Sequence, residues 1–283
     1  MSKTYKVAGV QMNVELAKVD SNRNKILSHF KTATANGADL TVFPECATTG
    51  YCFDSLEESL GVAESCDGET CQLFAEACRR TGRHMVYGYL ENQRDTLYNS
   101  LNLVGPTGLV GTYRKIHLPF LGVDRFTTSG ETFRVYDLGW ARVGLHICYD
   151  GSFPESGRCL ALQGADLLVL PTNWPPGSLA AADVVPNARA MENHTYFMSV
   201  NRVGRERGFD FIGKSKICDP DGRNLVFEDH TEETVFYAEI DPLVAREKKL
   251  VRVPGKHEID RFEDRHPDKY ATITAQNITA QKP

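Results

Sequence analysis

The sequence predicts an α/β domain built as a four-layer α-β-β-α sandwich with a pseudo-two-fold internal repeat. Two observations lead there. Short apolar runs alternate with longer amphipathic stretches, the pattern of strands and helices taken in turn. The order strand–helix–strand near the N-terminus then returns in the second half together with its residues. Gly37-Ala38-Asp39-Leu40-Thr41-Val42-Phe43-Pro44 is echoed by Gly164-Ala165-Asp166-Leu167-Leu168-Val169-Leu170-Pro171, 127 positions later, with six of eight positions identical. Gly-Ala-Asp-Leu is a common way to leave a helix for a strand, but the shared context around it favours a repeat.

Taken in order, residues 5–12 read as an apolar, β-branched strand. Residues 22–36 carry Ile26, Leu27 and Phe30 at helical spacing and end at Gly37, as a C-terminal glycine should. Residues 40–43 form a short buried strand stopped by Pro44; residues 72–80 are a second helix and 84–90 the next strand. In the second half, 142–148 is a strand, 155–163 a helix and 167–170 a strand stopped by Pro171. Two sheets with helices outside give the four layers, and strand ends from both halves converge on one pocket. No Pro/Ser-rich linker interrupts the chain, so residues 1–250 are expected to form one domain. Residues 251–283, charged and poor in apolar side chains, are expected to be an extended tail docking on a partner subunit.

Composition narrows the function. Hydrophobic residues at 41% and charged residues at 24% of 283 positions describe a globular chain rather than a disordered one. A formal net charge of −5 offers no basic field for nucleic acid or an anionic membrane. No window approaches the ~18 uninterrupted apolar residues of a membrane span. The opening Met1-Ser2-Lys3-Thr4-Tyr5-Lys6 is too polar for a secretory leader, so a cytoplasmic location is expected. Eight cysteines include no C-x-x-C pair and no zinc spacing. Neither a phosphate-binding glycine loop nor any other cofactor motif appears, so no cofactor and no metal are expected.

Three reactive side chains lie at or just past the end of apolar strands, where loops gather to make sites in α/β folds. Glu45 follows Phe43-Pro44; Lys115 lies in Tyr113-Arg114-Lys115-Ile116-His117-Leu118-Pro119; Cys148 precedes Tyr149-Asp150-Gly151-Ser152-Phe153-Pro154-Glu155. Cleaving an amide C–N bond needs a nucleophile, best a thiolate. It also needs a carboxylate of raised pKa to shuttle the proton and fixed positive charge or N–H donors at the oxyanion. Cys148, Glu45 and Lys115 cover these roles, with the Tyr149 backbone N–H as a further oxyanion donor. Singly, each has a plain structural explanation as a buried thiol, a helix-capping acid or a surface lysine.

The set F-P-E, Y-R-K-I-H-L-P and G-L-H-I-C-Y-D-G-S-F-P-E, in this order, resembles the nitrilase superfamily of carbon–nitrogen hydrolases. The likeness covers residues 7–241 and continues more weakly through Asp264-Arg265-His266-Pro267. It implies the same sandwich, a catalytic Glu-Lys-Cys set at Glu45, Lys115 and Cys148, and a homodimer or higher homo-oligomer. Pro171-Thr172-Asn173-Trp174 resembles the segment lining the family's pocket, so Asn173 and Trp174 are candidate substrate contacts; Trp174 also reads as a core aromatic beside a proline turn. Arg189-Ala190-Met191-Glu192-Asn193 resembles a family helix in which Arg189 and Glu192 would pair, and Glu155 would cap or anchor the helix after the nucleophile turn. Where many members carry a second glutamate after the lysine, this chain has Asp124, which either does the same job as an auxiliary acid or pairs with Arg125. Glu131 lies in a turn and is the weaker substitute.

The resemblance leaves the bond open among amides, N-carbamoyl compounds and nitriles. Tyr149-Asp150 stands where the true nitrilase branch has Trp-Glu, which favours an amide-type small-molecule substrate. Gly151-Ser152 occupies the place where members handling carboxylates put an arginine; Arg125 or Arg202 would have to reach the pocket instead. Two other readings stay on the page: a Cys-His enzyme using His146 or His117, and a catalytically silent scaffold or binding protein of the same fold.

Overall fold

The computed structural model describes residues 3–275. The first half supplies β1 (Tyr5–Gln11), α1 (Val19–Ala35), β2 (Leu40–Val42), α2 (Leu56–Leu60), α3 (Glu69–Thr81), β3 (His84–Gln93), β4 (Thr96–Gly105) and β5 (Gly108–Arg114). The second supplies β6 (Val135–Asp137), β7 (Arg142–Leu145), α4 (Pro154–Leu162), β8 (Leu167–Thr172), α5 (Leu179–Asn193), β9 (Tyr196–Asn201), the hairpin β10 (Val203–Glu206) and β11 (Phe209–Ile212), β12 (Ser215–Cys218), β13 (Asn224–Glu228), β14 (Thr234–Ile240) and α6 (Pro242–Arg246).

Two six-stranded sheets result, ordered β14-β1-β2-β3-β4-β5 and β6-β7-β8-β9-β12-β13. Read in that direction their ladders match step for step. An antiparallel pair is followed by two parallel pairs and then two antiparallel ones. The repeated octapeptide marks the same corner in each sheet. Asp39 N–H donates to Lys6 O and its carboxylate accepts from Lys6 N–H; Asp166 N–H donates to Arg142 O and its carboxylate accepts from Arg142 N–H. Gly37 and Gly164 both turn at φ 87°. Asp39 is then paired with Arg83, and Asp166 with Arg142 and Arg246.

The layers follow from side-chain alternation. Val7, Leu40, Val42, Val86 and Leu103 of the first sheet pack against Val143, Leu145, Leu167, Val169 and Met198 of the second. On the outer face of the first sheet, Met12, Met85 and Tyr87 meet Ile26 and Phe30 of α1 and Phe74 and Cys78 of α3. On the outer face of the second, Leu168, Leu170 and Phe197 meet Leu160 of α4 and Ala182 and Ala190 of α5. Because β8 is covered on both sides it is apolar from Leu167 to Pro171 rather than alternating. The order is helix, sheet, sheet, helix.

Three local expectations need correction. Pro171 does not stop its strand: β8 runs to Thr172, with Pro171 opposite Val200 of β9. β7 has left the ladder at Leu145, so there β8 has a regular neighbour on one side only, where a missing N–H is tolerated. The strand expected over 142–148 also ends early, at Leu145, and Cys148 opens a short 3-10 turn. Finally, the C-terminal segment is not simply extended. The chain divides after Arg246 into two compact units, and the second contains an antiparallel hairpin of β15 (Lys249–Val253) and β16 (His257–Asp260) followed by α7 (Ala271–Thr274). Val251, Val253 and Ile259 are β-branched, and Gly255 at φ 67° closes the turn. Residues 276–283 of the expected tail lie outside the described residues.

Candidate active site

Glu45 sits one residue beyond Pro44, where the chain leaves β2 and crosses the face of β3. Phe43 N–H donates to Val86 O, and Gly88 N–H to Pro44 O. The approach is so close that a Cβ on Gly88 would fall 2.4 Å from Cys46 N and 2.7 Å from Glu45 Cα. Glycine at 88 is therefore what lets the acid reach its place. The Glu45 carboxylate is fully buried.

Lys115 follows the last residue of β5, its N–H donating to Asn99 O of β4 and its carbonyl accepting from Gly130 N–H. The side chain is also fully buried. Its ammonium donates to Glu45 Oε1 at 2.7 Å and to Asp124 Oδ2 at 2.6 Å. Asn99 Nδ2 bridges the same two acids, at 2.7 Å to Glu45 Oε1 and 2.9 Å to Asp124 Oδ1. Tyr51 Oη adds 2.8 Å to Asp124 Oδ2. Asp124 lies in the 3-10 turn Gly122–Arg125 and so joins the cluster rather than pairing with Arg125, whose guanidinium donates to the carbonyls of Gly122 and Phe53. Two carboxylates about one ammonium leave one surplus negative charge.

Charge then sets protonation. Burial pushes the Glu45 carboxyl above the usual carboxylate range, with Asp124 adding to it and Lys115 opposing. Burial works against the Lys115 ammonium, but Asp124 and Glu45 outweigh it and raise its pKa well above the ordinary lysine value. Glu45 Oε2 is buried with no hydrogen-bond partner among the described residues. The acid is thus gripped by one oxygen and free at the other.

Cys148 adopts φ 43°, a left-handed turn that a non-glycine residue takes only when its surroundings impose it. Asp150 is the main fastener. Its carboxylate accepts from Ile147 N–H, from Tyr113 Oη at 2.7 Å and from His117 N–H, and its Oδ1 lies 2.7 Å from His117 Nδ1. Tyr113 and His117 flank Lys115, so one buried carboxylate ties the lysine segment to the cysteine turn. Burial alone would raise the Asp150 pKa; these donors outweigh it and lower it. Arg189 of α5 grips the other side of the turn, donating to the carbonyls of Gly151 and Ser152 while pairing with Glu192 at 3.1 Å. The expected ion pair is present, and it anchors the nucleophile loop. Glu155 is exposed in the first turn of α4, which has no side-chain cap.

The Cys148 thiol lies within electrostatic reach of both Glu45 and Lys115. Burial raises its pKa well above the ordinary value and Glu45 adds to that, while Lys115 and a hydrogen bond from the Asn173 backbone lower it. The group therefore rests as a thiol. Asn173 and Trp174 are buried, and Trp174 packs in the outer core cluster against which Cys148 also lies. Asn201 holds this segment, accepting from Trp174 N–H at 2.8 Å and Thr172 Oγ1 at 2.9 Å. Both polar atoms of the Asn173 side chain are buried without partners among the described residues. Tyr149 is 40% exposed beside the turn.

The histidines stand apart from this chemistry. His146 is buried, its Nδ1 shared with Ser156 Oγ at 3.2 Å and its ring edge-on to Phe197; burial lowers its pKa to about 4. His117 stacks on Phe153 at 3.7 Å. Glu131 is exposed. Asn99, Tyr51, Asp150 and Asn201 are contributors that sequence reasoning did not assign. The available signal was a polar residue inside an apolar strand, as Asn99 is in Leu97-Tyr98-Asn99-Ser100-Leu101. Among the described residues no helix is long and apolar enough to cross a membrane, and no group of His, Cys, Asp and Glu is placed to hold a metal.

A buried acid–ammonium–acid cluster beside a strained, fastened cysteine defines a class of hydrolytic site, and similarity to known proteins gives the family. Residues 6–249 match the carbon–nitrogen hydrolase family model. A nitrilase of Pyrococcus abyssi is 41% identical over 94% of this chain and 98% of its own length. An (R)-stereoselective amidase of a Pseudomonas species is 36% identical over 81% and 83%. Among solved structures, an amidase from Nesterenkonia sp. AN1 with covalent addition of the acetamide moiety of fluoroacetamide at its active-site cysteine superposes with a TM-score of 0.79, covering 95% of this chain and 96% of its own at 20% identity. The chain belongs to the carbon–nitrogen hydrolase family.

Proposed function

We propose that this chain hydrolyses small amides through a thioester on Cys148, with Glu45 as proton shuttle and Lys115 as electrostatic clamp. The observation that carries the reading is the divided state of Glu45. One oxygen is fixed by Lys115 and Asn99, the other is buried and unpartnered, and the carboxyl acts electrostatically on the Cys148 thiol. A carboxylate held this way is pre-aimed, and its raised pKa suits it to accept a proton and return it.

As the thiol sulfur bonds to the amide carbon, its proton passes to Glu45 and the carbonyl π electrons move onto oxygen. Lys115 and the Tyr149 backbone N–H stabilise that oxyanion. Collapse breaks the C–N bond, and Glu45 gives its proton to the departing ammonia or amine. Water then loses a proton to Glu45 as it attacks the thioester; the acid product leaves and the sulfur recovers its proton. Asp124, as auxiliary acid, keeps the ammonium charged and in position throughout. Asn173 and Trp174 line the substrate pocket.

The amidase relative supports the amide reading. The Pyrococcus relative, by its name, makes nitrile hydrolysis on the same residues the second one. The neutral, separately engaged His146 speaks against a Cys-His scheme, and the intact charged cluster against a silent scaffold. An ammonia-release screen over amides, N-carbamoyl compounds and nitriles, with Cys148→Ala as the blank, tests the assignment. Turnover of amides that survives Cys148→Ala would sink it.

We also propose a homo-oligomer of at least two copies in a reducing, cytoplasmic setting. Leu162 on α4 and Leu179, Val184 and Met191 on α5 are exposed apolar side chains suited to a subunit contact, and all eight cysteines are free thiols. Light scattering at micromolar concentration should give at least twice the 31.5 kDa chain mass.

A further inference from the structure

A second cavity, of about 210 Å³, opens where three loops meet. One follows Glu45 and brings Phe53; one follows Lys115 and brings Phe120, Leu121 and Gly122; the third is the tip of the β10–β11 hairpin and brings Phe209. Part of its wall, Gly122 and Arg125, belongs to the 3-10 turn that also carries Asp124. Gly122 begins the 3-10 turn that carries Asp124, and at about 2 Å of rise per residue the two lie roughly 4 Å apart along that turn. The Tyr51 ring lies flat on Gly122, where a Cβ would fall 2.3 Å from it, while Tyr51 Oη holds Asp124. The Tyr51 ring thus links the two places: it touches Gly122 of the cavity wall, and the Lys115 ammonium lies 5.9 Å from its centroid.

The lining points to an apolar guest. Phe120 is 90% exposed and Phe209 41% exposed, which leaves a large aromatic surface uncovered by the described residues. The charged residues of the wall are already engaged. Arg207 is paired with Asp54 at 2.8 Å and with Glu58, and Arg125 donates to two backbone carbonyls. A cavity of about 150 Å³ suffices for a benzene ring, so a phenyl-sized group fits.

We infer that this three-loop cleft is the specificity subsite of the enzyme, receiving an aryl or branched-alkyl substituent carried by the amide substrate, with Phe120 and Phe209 closing on it. The inference rests on the amidase reading above and names the substrate class for it.

The test compares kcat/KM for acetamide, 3-phenylpropionamide and the carboxylate-bearing succinamic acid. The expected order places 3-phenylpropionamide first. Phe120→Ala and Phe209→Ala should each lower the ratio of kcat/KM for 3-phenylpropionamide to that for acetamide by ~10-fold or more, the range typical of lost contacts in a hydrophobic pocket. Phe120→Leu should restore most of it. The inference is overturned if the ratio stays within twofold in both alanine variants, or if succinamic acid is preferred and Arg125→Ala removes that preference. A fall in oligomer mass in Phe120→Ala with the ratio unchanged overturns it too, since a second copy would then cover the aromatic. Cys148→Ala separates the two levels: turnover that persists there defeats the amidase reading itself, whereas a wild type hydrolysing acetamide but ignoring the aryl amide defeats only the subsite.

Discussion

Lys115 shows most clearly what burial does to a residue. A lone ammonium in such a place would give up its proton; here two carboxylates hold it, and the charge becomes a fixed tool. Lys115→Ala removes an oxyanion partner and should lower kcat by ~10²–10³-fold, about 3–4 kcal/mol, read in steady-state kinetics on any accepted amide. Glu45 should leave a pH signature. Its raised pKa keeps it protonated to higher pH than an ordinary carboxyl near 4.5, and only the ionised form can accept the thiol proton. The acid limb of kcat/KM should therefore lie above pH 4.5 and vanish, with most of the activity, in Glu45→Gln. His146 makes the opposite kind of prediction. Burial lowers its folded pKa to about 4, below the ordinary histidine value of 6.5, so the unfolded chain binds the extra proton. Stability should be fully present above pH 6.5 and fall by about 3 kcal/mol as pH drops toward 4, a slope that His146→Gln should flatten in urea titrations. Glu45, Lys115 and Cys148 could be picked out as candidates in the sequence because they combine unusual chemistry with a strand-end position. Asn99 and Tyr51 were not, because an asparagine or a tyrosine in a strand or loop carries no mark of the ion pair it serves.

At the scale of elements, the site is assembled by residues that take no part in the proposed reaction. Gly88 admits the Glu45 loop, Asp150 ties the lysine segment to the cysteine turn, and Arg189 clamps that turn from α5. Gly88→Ala should fold poorly or lose at least ~10²-fold in activity, because the clash at 2.4 Å is with backbone that cannot rotate aside. Differential scanning calorimetry and kinetics on the soluble fraction would tell these outcomes apart. The strand–helix–strand segments at the start of each repeat were readable from periodicity, with ends displaced by a few residues. What sequence could not give was decided by neighbours. Pro171 stays in β8 because the adjacent strand has already departed, and the hairpin of residues 249–260 forms because β-branched positions alternate beneath a charged composition that looked unstructured.

For the molecule as a whole, the matched sheets turn the octapeptide echo from a curiosity into an architectural rule: Asp39 and Asp166 hold equivalent corners through equivalent backbone bonds. Replacing Asp39 by alanine leaves the Lys6 N–H and Arg83 without their carboxylate; replacing Asp166 does the same to the Arg142 N–H and to the Arg142 and Arg246 guanidiniums. Each variant should lose roughly 2–4 kcal/mol in urea unfolding, and since they share no partner the losses should add. The same topology governs how the chain can be made. Strand β14 crosses from the far end of the sequence to lie against β1, pairing Tyr5 with Ile240. A ribosome must therefore release well over two hundred residues before the edge at Val7 and Val10 is covered. Until then the nascent chain carries an open, sticky border of the kind that invites pairing between copies. Fragments ending before residue 234 should therefore be less soluble than the full chain, a consequence of that single return strand which sedimentation of truncated products would check.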